Sequence, residues 1–294
     1  MLIRVYRNIV PLRIRQAMYD LVVGDLVFFF RHFSIIVKAK SRYWLGFLFP
    51  TSDENRVLAF IGRHGITSYP YPYMLEYRDK KVEVLRDPET GLPFVVHNGR
   101  RLFFPRDYDK AKVARDYIAL IIEQDARAAH RYVRSYDEVT DKTLLDVGAA
   151  EGIFSLDTIQ LTKKTILFEC LENWQEALQA TFAPWREKVT IVKKFVGEKS
   201  AGEFVSLDDY VQTPDDLFIK MDIEGAERMA LRGAADILQK GRNQQVAVCT
   251  YHRPGDPEWM QQLLAGFGFE TEFSEGLMYW NKRLSKGVLR AKKS

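Results

Sequence analysis

The chain has 294 residues, 47% hydrophobic and 28% charged, with 11 prolines and two cysteines. This excludes collagen-like, disordered and disulfide-framework proteins and suits one large domain, or one domain with a substantial extension. The net charge of +4 is uneven: residues 1–50 carry eight Lys/Arg against Asp20 and Asp25, residues 281–294 carry six and no acid, and the body between is net −8.

An acidic body with basic ends argues against a nucleic-acid partner; the basic ends suit either weak contact with an anionic surface or lipid, or a solubilising tail and a solvated helix face. Residues 1–45 read as helical, because Ile14, Met18, Leu21, Val22, Phe29, Phe33 and Ile36 recur mostly at spacings of three, four or seven. The apolar run 21–37 is 17 residues long and includes Asp25, Arg31 and His32. A spanning helix needs about 20 mostly uncharged residues, so none is expected, and neither is a cleaved leader. Cys170 and Cys249 suit a reducing compartment. The expected location is therefore cytoplasmic, either free or peripheral at the inner membrane face.

A second helix is expected after the Ser52/Asp53 cap, ending near Gly62 to Gly65. In Tyr69-Pro70-Tyr71-Pro72-Tyr73 each proline holds its predecessor extended. Its rings suit the face of a sugar, although a rigid surface connector is the plainer reading. Residues 81–85 and 93–104 read as strands, the latter turned by His97-Asn98-Gly99. Residues 107–133 form one amphipathic helix through Val113, Tyr117, Leu120, Ile121 and Ile122.

From Thr143 the pattern alternates. Strands are predicted at 143–147, 165–168, 189–196, 217–221 and 245–250; helices at 152–161, 174–182, 226–238 and from Asp256-Pro257 to 265. Such alternation specifies an α/β, doubly wound, mostly parallel Rossmann-like sheet. Residues 269–273 and 277–280, joined by Ser274-Glu275-Gly276, predict an antiparallel C-terminal hairpin. Three parts follow: an accessory α+β extension at 1–106, an α/β domain at 107–282 and a basic tail at 283–294.

Three motifs lie at the carboxyl edge of this sheet, where doubly wound folds bind ligands. In Asp146-Val147-Gly148-Ala149-Ala150-Glu151-Gly152 a buried strand enters a turn of small residues that a ligand can approach closely. Glu169 ends the second strand, where a carboxylate can accept from both hydroxyls of a ribose. Asp222 and Glu224 follow the fourth strand, and His252 follows the fifth as a candidate general base.

Asp146-Val147-Gly148-Ala149, Gly152, Phe154-Ser155, Phe168-Glu169, Ser206-Leu207-Asp208-Asp209 and Lys220-Met221-Asp222-Ile223-Glu224-Gly225-Ala226-Glu227 together resemble the FkbM-type S-adenosylmethionine-dependent methyltransferase family. The resemblance covers about residues 107–282, which it implies is the methyltransferase domain, with residues 1–106 an accessory region on the acceptor side. It implies a class I methyltransferase sheet of seven strands with the last antiparallel. It implies that Asp146, Gly148, Ala149, Ala150, Glu151 and Gly152 hold the methionine part of S-adenosyl-L-methionine and that Glu169 holds its ribose. Val196 and Gly197 would lie near the adenine, and Asp222 and Glu224 would face the methyl and its acceptor. Ala150-Glu151 stands where the family more often has Asn-Ile or Asn-Val, and Cys170-Leu171 where proline usually follows the ribose acid. Glu123-Gln124-Asp125 and His130-x-Tyr132, upstream, are expected either near the cofactor or on a polar helix face.

The function expected is O-methylation of a hydroxyl on a sugar, glycan or related metabolite, with Asp222, Glu224 and His252 as the catalytic residues. A divalent metal held by Asp222, Glu224 and His252 is an open question, since their spacing matches no recognised ligand set. An NAD-dependent oxidoreductase needs a fuller glycine fingerprint than this turn offers. A non-catalytic cofactor-binding module would keep the same fold.

Overall fold

The computed structural model describes residues 25–294. Ile14, Met18, Leu21 and Val22 of the expected first helix, with Arg4, Arg7, Arg13 and Arg15, lie outside the described residues. Helix α1 (Asp25–Trp44) packs on α2 (Asp53–His64). The Ser52 hydroxyl caps α2 by accepting from the Asn55 amide at 3.2 Å, as expected of its first turn. Gly62 makes the crossing close, because a Cβ there would lie 2.3 Å from the Ala39 carbonyl oxygen.

A small antiparallel sheet follows: β1 (Leu85–Arg86), β2 (Pro93–His97) and β3 (Arg100–Phe103). Asn98 and Gly99, at φ 49° and 77°, supply the left-handed pair that a tight hairpin requires. The 81–85 strand shrinks to β1. Tyr69 to Tyr73 is not a surface connector. Tyr73 is buried, Tyr69 donates to Glu123 at 3.2 Å, and the Tyr71 hydroxyl accepts from the Leu277 amide at 2.6 Å.

Helix α3 (Lys110–Glu123) stops ten residues before the predicted end at 133. Arg131 folds back and its Nη1 donates to the Gln124 carbonyl at 2.6 Å, satisfying a free acceptor at the helix end. The turns that follow carry His130 and Tyr132 to the sheet edge.

The remaining chain builds β4 (Thr143–Val147), α4 (Ile153–Thr158), β5 (Lys164–Phe168), α5 (Glu172–Phe182), β6 (Val189–Val192), β7 (Phe195–Val196), β8 (Phe204–Val205) and α6 (Leu207–Tyr210). Then come β9 (Leu217–Met221), α7 (Glu227–Arg232), α8 (Ala235–Lys240), β10 (Gln244–Cys249), α9 (Asp256–Gly266), β11 (Glu270–Phe273), β12 (Met278–Trp280), β13 (Arg283–Ser285) and β14 (Val288–Lys293). The seven-stranded sheet runs β11-β14-β10-β9-β4-β5-β6, with only β14 antiparallel to its neighbours. Strand order reverses between β4 and β9, so a cleft opens at their carboxyl ends.

Helices cover both faces, so the central strands β4 and β9 are buried almost throughout and mostly apolar, Asp146 and Lys220 being the charged exceptions. Leu145, Val147, Ile219, Met221, Val246 and Val248 pack in one layer; Leu144, Phe218 and Ala247 pack in the other. Each of these side chains other than Ala247 contributes about 1.5–3 kcal/mol by leaving water.

Four expectations need correction. The 189–196 strand breaks at a tight turn, where the Lys194 amide donates to the Val192 carbonyl at 2.9 Å, and β7 pairs with β8 instead. The 226–238 helix is two helices, because Asp208 accepts from the Asp236 and Ile237 amides and starts α8 anew. The segments 269–273 and 277–280 are not partners: the Leu277 amide is held by Tyr71, the Tyr279 amide donates to the Ser68 carbonyl at 3.0 Å, and β12 pairs with β13. Residues 283–294 are no tail, since they contain β13 and β14, the latter inserted between β10 and β11. The sheet therefore continues past the expected boundary at 282.

Candidate active site

The turn after β4 is forced by its neighbours. Gly148 has φ 79°, and a Cβ there would lie 2.0 Å from the Asp222 carbonyl oxygen, so only glycine lets β4 and β9 end side by side. The Gly148 and Ala149 amides donate to the Phe168 carbonyl at 2.9 and 3.1 Å, which ties the turn to β5. Ala150, at φ 46°, aims its amide at Glu169 Oε2, 2.9 Å away, while Glu169 Oε1 accepts from the Leu171 amide at 2.8 Å. Beneath the turn, buried Asp146 accepts from Ser155 at 2.6 Å and pairs with Lys220 at 2.9 Å.

Above it lies a cavity of about 460 Å³. Gly148, Ala149, Ala150, Glu151, Glu169, Val196, Asp222 and Glu224 all line it, as do Glu123, Tyr132 and Lys220. Leu171 and Phe195, 52% and 42% exposed, are further lining residues, leaving apolar surface free to cover a flat ligand. Burial, reinforced by Glu123, pushes the Glu151 carboxyl up to about 8, so it is largely protonated near neutral pH.

At one end of the cavity the chemistry concentrates. Asp222 Oδ2 accepts from the Tyr132 hydroxyl at 2.9 Å and stands 3.3 Å from His130 Nε2. Burial alone would raise the Asp222 carboxyl; the hydrogen bond from His130 and the charges of His130 and Lys220 outweigh it and hold it well below the carboxylate range. Burial likewise opposes charge on His130, but Glu123 and Asp222 keep its imidazole above the ordinary value. His252 Nδ1 lies 2.8 Å from Glu227 Oε1, while its Nε2 lies 3.6 Å from both Asp222 Oδ1 and Glu224 Oε2. That buried Nε2 has no hydrogen-bond partner among the described residues. Burial pulls the His252 imidazole down, and Glu227 more than restores it, leaving it raised.

The predicted residues fall into two groups. Most wall the cavity directly. Asp146 supports the turn from below, Gly152 starts α4 against Phe182, and His252 reaches the cavity through Asp222 and Glu224. Gly197 is not at the cavity: its amide donates to the Val205 carbonyl at 2.9 Å and the residue packs against Phe204 and Gly233. Lys220 and Glu227 open and close the 220–227 motif, which by itself gives them no role. Their signal was a lysine inside an otherwise apolar strand and an acid three positions after Glu224. Glu123, His130 and Tyr132 do converge on the site, and Tyr69 joins them through Glu123.

Seven strands in this order, with the seventh antiparallel and a cleft where the order reverses, define the class I methyltransferase fold. No protein-family model matches the chain, and no curated protein matches it. Among solved structures it is similar to an FkbM methyltransferase from Methylobacillus flagellatus KT, at 18% identity and a TM-score of 0.43, covering 63% of this chain and 55% of that one. It thus spans about half the length of that protein. It is also similar to a precorrin-6y C5,15-methyltransferase from Geobacter metallireducens, at 14% identity and a TM-score of 0.40, covering 55% and 88%. A magnesium protoporphyrin IX methyltransferase from Synechocystis PCC 6803, solved with bound SAM, gives 14% and 0.40, covering 64% and 86%.

Proposed function

We propose that this chain is an S-adenosylmethionine-dependent O-methyltransferase acting on a hydroxyl of a sugar, glycan or related metabolite. The observation that carries the reading is one cavity joining the Glu169 carboxylate, the apolar Leu171 and Phe195 and the Asp222–His252 cluster. The donor set fits the cofactor. Glu169 offers two carboxylate oxygens to a diol, exposed Leu171 and Phe195 offer apolar faces to a base, and Glu123 and Glu151 offer acids to an ammonium group. When bound, the cofactor supplies an electrophilic methyl.

The acceptor hydroxyl must lose its proton as its oxygen is alkylated. Asp222 is a weak base, held ionised by His130 and Lys220, and suits the task of orienting the hydroxyl. His252 suits the proton transfer. Glu227 holds the Nδ1 side of the ring, leaving Nε2 as the free lone pair toward the two cavity acids. Glu224, with its side chain 83% exposed, contributes negative charge at the mouth.

The test is incubation with labelled S-adenosylmethionine and separated glycan, lipid, small-metabolite and RNA fractions. Label in a carbohydrate-bearing fraction, lost in the His252→Ala protein, is the expected result. Tight binding of NAD in place of S-adenosylhomocysteine would overturn the cofactor, and label in RNA would overturn the acceptor class.

A further inference from the structure

Eleven of the eighteen exposed large apolar residues described fall within residues 27–48, on α1 and the short turn after it. They are arranged, not scattered. Phe30, Phe33, Val37 and Trp44 recur at spacings of three, four and seven, forming one stripe along the 20-residue helix. On the opposite side Ala39 is buried against α2 and Ile35 packs beside it. The helix therefore has two apolar faces, and α2 covers one. The turn adds Phe47 and Leu48, 83% and 64% exposed.

The chemistry of the surroundings selects the occupant. Arg31, Lys38 and Lys40 are exposed on the same helix, and the sequence from residue 26 to residue 52 contains no Asp or Glu. Exposed cations on the same helix as a Phe/Trp stripe complement an anionic interface whose interior is apolar. Tyr43 and Trp44 at the helix end have the amphipathic rings that settle at headgroup depth. No described helix is long and apolar enough to cross a membrane, so the geometry is that of a helix lying in the surface.

We infer that the outer face of α1, with the Gly46–Leu48 turn, docks on an anionic lipid bilayer. This stands apart from the proposed enzymatic reading, because none of its residues lines the cavity and it is read without turnover.

The experiment is cosedimentation of the full chain with phosphatidylserine-containing and pure phosphatidylcholine vesicles at low and high salt. The native protein should pellet with the anionic vesicles at low salt, and high salt should weaken that binding. Exposed positions make the variants safe for folding, which circular dichroism checks. Phe30→Ser/Trp44→Ser/Phe47→Ser should abolish binding. Arg31→Glu/Lys38→Glu should weaken it at least about 25-fold, about fivefold for each cation lost. Folded native protein that stays in the supernatant with anionic vesicles at low salt overturns the inference. So does binding unchanged by the triple substitution, or a self-associated species that this substitution converts to monomer without any vesicle binding in the native chain.

Discussion

Lys220 Nζ stands 2.9 Å from Asp146 Oδ1 and donates to the Gly148 carbonyl at 2.5 Å, so one buried cation fastens β9 to the end of β4 and to the first residue of the turn after it. Both side chains are almost fully enclosed. Lys220→Met would leave Asp146 with only the Ser155 hydroxyl, and an uncompensated buried charge costs about 3–5 kcal/mol. Urea unfolding should register that loss. Adding Asp146→Asn should recover part of it, since the stranded charge is then gone.

Glu169→Ala removes the two oxygens that face the cavity edge, together with the acceptors for the Ala150 and Leu171 amides. Affinity for S-adenosylhomocysteine should fall by about 1–3 kcal/mol, roughly 5- to 150-fold in calorimetry. Unchanged affinity would place the ribose elsewhere.

His252→Ala and Asp222→Asn should each lose turnover about 10²- to 10⁴-fold while S-adenosylhomocysteine still binds. The pH profile gives the sign. Glu227 raises the His252 imidazole, so its free-base form, and the rate, should increase with pH through a value above 6.5. Glu227→Gln removes that support and should move the inflection downward. A profile that is flat, or that moves upward, would assign the proton transfer to another group.

Glu151 makes a thermodynamic prediction. Its carboxyl is raised from 4.5 to about 8, so the folded state holds a proton that the unfolded chain has released. Stability from this group is complete below about 4.5 and is lost as pH climbs to about 8. Glu151→Gln should flatten that decline, and the variant should melt higher than the native protein at pH 8 by scanning calorimetry.

The site was legible in the sequence where chemistry follows a strand directly. Gly148, Glu169 and Asp222 each lie one residue past the end of β4, β5 or β9, so reading the strands also located the edge. His130 and Tyr132 read as helix in the sequence, because nothing local announces that Arg131 will close α3 at Gln124. β14 was missed for a different reason. Val288, Leu289 and Ala291 are its buried apolar positions, set among Arg290, Lys292 and Lys293, and their charges read as a tail. What makes the segment a strand is the open edge of β10, a partner about 40 residues earlier. The false hairpin has the same origin: the turn residues were right, but Tyr71, 206 positions away, takes the Leu277 amide.

The position of β14 has a consequence for assembly. β11 joins the seven-stranded sheet through β14 alone, although it precedes it in the chain. Until residues 288–293 slot in, residues 270–273 have nothing to pair with there, and β10 presents a bare rim of backbone donors and acceptors carrying Val246 and Val248. Such a rim is what other copies of a chain add to when proteins clump. The last strand of the chain is thus a latch, and a species with the latch undone is the one to expect in aggregates. The three cations on that strand oppose its pairing with its own kind, which favours closure onto β10 over exchange between molecules.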